Sequence, residues 1–226
     1  MQTKRKKNGS YYTPPFLAEF ILRHVSSNIK GRKSLSILEP SVGDGAFIRA
    51  FASIKLSCDT RISFTCVEKV KPEIDKAKFL TKSTSDRNIR FKFECVDFLK
   101  WQGTQSKHYS LILGNPPYVK KSLLNATQID SCKEIHESSD IAATFVKNIW
   151  SSFLIRCTKL LLDDGILAFV LPAELLQAKF ASPIREFLKA QYERIELFTF
   201  NDLLFDSIGQ DTIILFGYKK SANKGV

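Results

Sequence analysis

The sequence predicts an α/β protein with a Rossmann-like, seven-stranded, mostly parallel sheet, an antiparallel last strand and helices on both faces. Short apolar runs alternate with longer amphipathic segments, which is the pattern of parallel strands joined by helices. Four of the runs lead into an acid or an amide. The last two runs lie too close together to enclose a crossover helix, so we expect them to pair antiparallel.

Turn residues and polar strand ends set the boundaries of the predicted elements. The strands are predicted at 35–39, 62–68, 89–96, 109–113, 166–171, 193–200 and 212–219. The helices are predicted at 15–29, 45–55, 71–80, 141–162 and 173–190. Residues 119–140 have no clear period and few large apolar residues, so we interpret them as a long loop beside the active site.

Composition limits the class of protein. Of 226 residues, 44% are hydrophobic and 25% charged, which predicts one large folded domain over 1–226 and excludes a disordered chain. The five cysteines include no CxxC pair, so we expect no metal site and no disulfide framework. No apolar run approaches the roughly 18 residues of a membrane span. We therefore expect a cytoplasmic protein without a membrane partner.

Positive charge is concentrated at the start of the chain. The formal net charge is +11, and the first 33 residues contain eight basic side chains against the single acid Glu19. Such an excess favours a polyanionic partner such as a nucleic acid. Residues 1–10 are interpreted as a basic, flexible tail.

The polar strand ends predict a ligand site. Glu39, Glu68, Asp97 and Asn115 follow four successive predicted strands, and ligands of parallel sheets bind at the carboxyl ends of strands. The turn after the first strand contains Gly43 and Gly45 but lacks the third glycine of a dinucleotide fingerprint. An acid at that strand end disfavours a pyrophosphate and favours a cationic cofactor with a ribose and an amino-acid tail. Glu68 is placed to accept hydrogen bonds from ribose hydroxyls.

The tetrapeptide Asn115-Pro116-Pro117-Tyr118 carries the most specific chemistry. Its prolines fix a rigid turn whose carbonyls face outward, Asn115 adds a side-chain acceptor, and Tyr118 adds an aromatic face for stacking. Acceptors beside an aromatic plane can hold a planar amine and orient its nitrogen for attack. The three histidines lie in no recognisable motif, and this chemistry requires no histidine or lysine base.

With these motifs the chain resembles S-adenosylmethionine-dependent N6-adenine DNA methyltransferases with the gamma, or TaqI-like, motif order. The match includes the segment Tyr11-Tyr12-Thr13-Pro14-Pro15-Phe16 and extends over about residues 11–219. The resemblance implies S-adenosyl-L-methionine as cofactor and adenine-containing DNA, with the base flipped, as partner. The implied cofactor residues are Thr13, Glu39, Ser41, Gly43, Gly45, Glu68, Asp97, Phe98, Asn115 and Phe145. The tetrapeptide is implied to be catalytic, with Tyr118 and Phe205 on either side of the flipped base.

One departure and three alternatives accompany this resemblance. Family members usually carry a target-recognition region after the last strand, so we expect that region to be absent here or supplied by a partner. Methyltransferases of protein glutamine or of ribosomal RNA guanine also use Asn-Pro-Pro-Tyr, although usually without the Tyr-Thr-Pro segment. A non-catalytic, methyltransferase-like DNA-binding subunit is the second alternative. A nucleotide-dependent dehydrogenase is the third, and the missing glycine weakens it.

Overall fold

The computed structural model describes residues 12–52, 60–82, 88–103, 108–200 and 211–219. Its centre is a seven-stranded sheet with the strand order β3-β2-β1-β4-β5-β7-β6. The strands are β1 (Ser34–Glu39), β2 (Arg61–Val67), β3 (Ile89–Glu94), β4 (Tyr109–Gly114), β5 (Leu161–Pro172), β6 (Arg194–Thr199) and β7 (Thr212–Tyr218). The pairs among β1 to β5 are parallel, and β7 is antiparallel to both β5 and β6, which confirms the predicted fold class.

Helices cover both faces of this sheet. One face carries α1 (Pro15–Ile29), α2 (Ala46–Ala52) and α3 (Lys71–Thr81). The other carries α4 (Ala126–Glu137), α5 (Ile149–Leu160), α6 (Glu174–Gln177) and α7 (Ser182–Gln191). Successive strand residues alternate between the two cores, so Ile37 and Leu111 pack on one face while Leu38 and Ile112 pack on the other.

Local sequence explains why α1 forms where it does. Pro15 occupies its first turn, where a missing N–H costs nothing, and it presets the helical φ angle. Leu17, Ile21, Val25 and Ile29 follow at intervals of four residues and are at most 1% exposed. This stripe fixes α1 against the sheet, so the Tyr-Thr-Pro segment that precedes it is held at the carboxyl edge.

Three predicted boundaries are wrong. Residues 119–140 are not one long loop, because α4 occupies Ala126–Glu137. The helix predicted at 141–162 begins only at Ile149, after a 3₁₀ turn at Ala143–Phe145 and an extended Asn148. The helix predicted at 173–190 is split into α6, a 3₁₀ turn at Lys179–Ala181 and α7, which begins with Ser182-Pro183. A proline preset for a first turn marks a new helix start.

No helix within the described residues is long and apolar enough to cross a membrane.

Candidate active site at the carboxyl edge of the sheet

Four polar residues meet at one edge of the sheet. Glu39 is the last residue of β1, and Glu68 directly follows β2. Asp97 lies just beyond β3, and Asn115 directly follows β4. Because these strands are adjacent and parallel, their carboxyl ends are neighbours. The topology therefore brings the four residues singled out in the sequence to a common edge.

The glycine-containing turn after β1 is shaped by two positive φ angles, +51° at Gly43 and +82° at Gly45. These angles are unfavourable for residues with a Cβ atom. A Cβ added at Gly45 would lie 2.7 Å from Leu80 Cδ1 and 3.4 Å from Ala77 Cα, so α3 packs closely on this glycine. At Gly43 the nearest atom would be Tyr12 Cδ1 at 3.9 Å. Gly43 therefore leaves space on the side of the turn where a ligand could approach.

Glu68 holds this turn in place. Its Oε2 accepts a hydrogen bond from the Gly43 N–H at 3.1 Å, and its Oε1 accepts one from the Val70 N–H at 2.9 Å. Burial raises the pKa of the Glu68 carboxyl, while the two backbone N–H groups oppose that rise. A carboxylate has about four acceptor positions, so two bonds leave capacity for ribose hydroxyls. The sequence analysis predicted a ribose-binding role for Glu68 but did not anticipate that Glu68 holds the turn.

Glu39 is a buried acid with an unsatisfied carboxyl oxygen. It is 1% exposed, and no described residue gives its Oε2 a hydrogen bond. Burial raises the pKa of Glu39 well above its usual value, and the nearby charges of Asp44 and Glu68 raise it further. A buried acceptor oxygen without a hydrogen-bond partner is unfavourable. An ammonium group here would relieve that cost, so the residues fit the amino-acid end of S-adenosylmethionine.

The Tyr-Thr-Pro segment lies against the same turn. Thr13 is 8% exposed and directly precedes the proline pair at the start of α1. The neighbouring Tyr12 hydroxyl donates to Glu73 of α3 at 3.0 Å, while its ring lies beside Gly43. The segment thus approaches the glycine turn from the side of α1, although α1 and the turn are separated in sequence by β1.

A hydrogen bond joins the glycine turn to the tetrapeptide. Ser41 Oγ donates to the main-chain carbonyl oxygen of Asn115 at 3.1 Å. Pro116 is buried, whereas Asn115, Pro117 and Tyr118 are half-buried. Burial raises the pKa of the Tyr118 hydroxyl well above its usual value, and the side chain packs against the core. The tetrapeptide is therefore anchored at both its ends.

The chain beyond the tetrapeptide pairs with the segment that precedes α5. The Ile149 N–H donates to the Val119 carbonyl at 3.0 Å, and the Lys121 N–H donates to the Lys147 carbonyl at 2.8 Å. This pairing fixes the position of Phe145, which lies in the 3₁₀ turn rather than in the long helix as expected. Phe145 is half-buried, so part of its ring is exposed.

Asp97 is linked to a residue that the sequence analysis did not select. Its Oδ1 accepts from the Leu99 N–H at 3.0 Å, and its Oδ2 accepts from Gln128 Nε2 at 3.1 Å. Gln128 also forms a capping box with Asn125 at the start of α4. The spacing Asn-x-x-Gln is a known start signal for a helix. Interpreted as a capping box, Asn125-x-x-Gln128 would have predicted both the start of α4 and the position of Gln128.

Two further predicted residues have different outcomes. Phe98 is 2% exposed, and its ring packs 4.9 Å from the ring of Phe153. The side chain of Phe98 therefore belongs to the core, and only its main chain is left to serve the edge beside Asp97. Phe205 lies outside the described residues.

The fold resembles that of a solved methyltransferase, and the sequence matches a methylase family. A structure described as a class I S-adenosylmethionine-dependent methyltransferase from Listeria monocytogenes matches 96% of this chain and 63% of its own, with a TM-score of 0.71 and 15% identity. That likeness concerns the fold alone. The sequence then gives the family: residues 45–205 match the Eco57I restriction-modification methylase family, and the chain belongs to it.

Two curated relatives are similar over most of the chain. The modification methylase CviBIII of Paramecium bursaria Chlorella virus NC1A is 28% identical over 82% of this chain and 43% of its own length. The type II methyltransferase M.BanIII of Aneurinibacillus aneurinilyticus is 25% identical over 100% of this chain and 41% of its own. The chain thus spans about two-fifths of these relatives. S-adenosylmethionine is the cofactor of the family, as expected from the sequence.

Proposed function

We propose that this chain transfers a methyl group from S-adenosylmethionine to the N6 amine of an adenine flipped out of DNA, as in restriction-modification systems. The observation that carries the proposal is the hydrogen bond from Ser41 to the Asn115 carbonyl. It couples the turn suited to the cofactor with the tetrapeptide suited to the amine. A transfer between two bound groups needs this mutual positioning above all.

The cofactor would be held by side chains and main-chain groups along the edge. Glu39 would face the ammonium group, Glu68 the ribose hydroxyls and Asp97 the adenine amino group, each as an acceptor. Thr13, Ser41, Gly43 and Phe145 would line the rest of the cofactor site, with Gly45 and Phe98 supporting it. Bound there, S-adenosylmethionine supplies an electrophilic methyl group on a sulfonium.

The tetrapeptide would prepare the amine for attack. The lone pair of an exocyclic adenine amine is delocalised into the ring, so the nitrogen is a poor nucleophile. The Asn115 side chain and the Pro116 carbonyl would accept its two hydrogens and favour a tetrahedral, nucleophilic nitrogen. Stacking on Tyr118, with Phe205 as the second aromatic, would return about 1–3 kcal/mol of the cost of unstacking the base.

The test uses tritium-labelled S-adenosylmethionine with DNA duplexes, the same strands kept single, and a duplex without adenine. Label recovered as N6-methyladenine supports the proposal. Label on a glutamine-containing peptide or on guanine of ribosomal RNA instead would support the alternative methyltransferases. Cofactor binding without transfer to any substrate would indicate a non-catalytic subunit, or a catalytic part that needs a separate recognition domain or subunit.

A variant pair makes the assay specific to the tetrapeptide. Asn115→Ala should bind the cofactor nearly as well as the parent and lose transfer by on the order of 10²-fold or more. Asn28→Ala, at an exposed position of α1, is the matched control and should keep full activity. An active Asn115→Ala protein would overturn the assignment.

A further inference from the structure

A groove crosses the opposite, amino-terminal edge of the sheet. It has a volume of about 690 Å³ and extends across β3, β2, β1, β4 and β5. Five strands at a spacing of about 4.8 Å make it roughly 19 Å long. We call it the basic groove, defined by the basic residues Arg32, Lys33, Arg61 and Arg90 and the hydroxyl residues Ser34, Ser36, Ser63 and Ser110.

The exposed sheet surface in this groove is unusual for a parallel sheet. Such sheets are normally covered on both faces, and their strands are then apolar throughout. Here Ser34 pairs with Arg61 and Ser63 pairs with Arg90 in register, and all four are exposed. The hydroxyl and guanidinium groups therefore form a continuous polar strip across three strands.

The charge of the basic groove is positive and mostly uncompensated. Arg32 pairs with Asp164 at 3.1 Å. Lys33, Arg61 and Arg90 form no ion pair with any residue of the described ranges. Three cations along one concave surface repel one another and attract a polyanion.

The groove offers hydrogen-bond donors, and two of its three apolar residues turn their side chains away from it. Leu35 and Ile62 are 2% and 5% exposed, because their side chains pack into the core on the other face. A polypeptide segment that covers a sheet stably needs apolar contact. A phosphodiester backbone needs mainly arginine, lysine and hydroxyl donors. The hydroxyls of Ser36 and Ser110 already donate to main-chain carbonyls, so the cations are the main donors that the groove offers. The chemistry of the groove therefore favours phosphates over an acidic polypeptide.

We propose that the basic groove binds the phosphate backbone of DNA, without reading its sequence, at a second site remote from the candidate active site. This contact would hold a stretch of DNA other than the one that carries the target base. It is independent of the proposed catalysis, because phosphate binding requires neither cofactor nor adenine.

The test measures binding of fluorescent, adenine-free DNA by anisotropy at several salt concentrations. The groove variant is Lys33→Gln/Arg61→Gln/Arg90→Gln. The control variant, Arg23→Gln/Lys78→Gln/Lys82→Gln, removes the same charge from exposed positions on α1 and at α3. At low salt the groove variant should bind on the order of 10–100-fold more weakly and lose up to about 2.7 units of salt slope. The control should bind like the parent.

Equal weakening in both variants would show a dependence on net charge alone and overturn the groove as a site. The same holds if the groove variant binds DNA like the parent. Groove-dependent binding of a labelled poly-glutamate peptide without binding of DNA would assign the surface to an acidic polypeptide instead. The melting shift caused by S-adenosylhomocysteine reports that the groove variant is folded and able to bind the cofactor.

Discussion

Glu68→Ala tests whether one carboxylate both shapes the cofactor turn and binds the cofactor. Its two oxygens accept from the Gly43 and Val70 N–H groups at 3.1 and 2.9 Å. A hydrogen bond to a charged group contributes about 1.5–3 kcal/mol. Burial of the charge opposes that gain, as the raised pKa of Glu68 indicates. We therefore expect the substitution to lower the free energy of unfolding by about 2–4 kcal/mol.

The assay is urea and thermal unfolding of the cofactor-free protein. For a chain of this length, a loss of about 2–4 kcal/mol lowers the melting temperature by roughly 4–16 °C. Glu186→Gln is the control, because Glu186 is exposed and its ion pair with Lys189 on α7 is exposed as well. That change should alter the free energy of unfolding by less than about 0.5 kcal/mol.

The refuting result is an unchanged melting temperature. If Glu68→Ala unfolds like Glu186→Gln and only its affinity for S-adenosylhomocysteine falls, the two backbone hydrogen bonds contribute nothing measurable. Glu68→Gln separates the roles further, because it keeps one acceptor for the backbone and removes the charge. It should be intermediate in stability.

Three other substitutions test the packing at Gly45, the buried His136 and the contact of Gln128 with Asp97. Gly45→Ala should destabilise the fold by about 1–3 kcal/mol more than Gly31→Ala, because both glycines have a positive φ but only Gly45 has close neighbours. Equal losses of unfolding free energy in denaturant titrations would refute the packing argument. Burial lowers the pKa of His136 to about 4, so the unfolded chain takes up this proton first as the pH falls, and stability should be lost between about pH 6.5 and 4. His136→Gln should abolish about 2 kcal/mol of that loss at about pH 5. Parallel curves of the free energy of unfolding against pH, measured in urea for parent and variant, would refute this. Gln128→Ala should raise the Kd for the cofactor several-fold, as measured by calorimetry, because Asp97 loses a donor that orients its carboxylate. An unchanged Kd would limit the role of Gln128 to capping α4.

The strands could be predicted well because their signals are local. Apolar runs ending in polar residues at Glu39, Glu68 and Asn115 located β1, β2 and β4 along the chain and predicted the edge of the sheet where these residues meet. The antiparallel pairing of β7 with β6 followed from the short connection between them, since a crossover helix does not fit between two strands so close in sequence. These inferences needed no knowledge of packing.

The errors arose where tertiary contacts decide the local structure. Apart from its capping box, α4 has a weak apolar period, and it is stabilised by the burial of Cys132 and His136 and by the contact of Gln128 with Asp97. The start of α5 is delayed because the preceding segment pairs with the chain after Tyr118. Both features depend on residues distant in sequence, which periodicity cannot detect.

The two edges of the sheet have opposite electrostatic properties. Acids at the carboxyl edge suit a cationic cofactor, whereas the basic groove suits a polyanion, and the chain as a whole carries +11. Glu39 and Ser34 lie at opposite ends of β1, which at about 3.3 Å per residue separates the edges by roughly 16 Å. The Debye length at physiological salt is about 8 Å. Because Lys33, Arg61 and Arg90 are exposed to solvent and lie about twice that length away, salt screens much of their effect on the carboxyl edge. Neutralising the groove should therefore change the affinity for DNA and leave the affinity for S-adenosylhomocysteine intact.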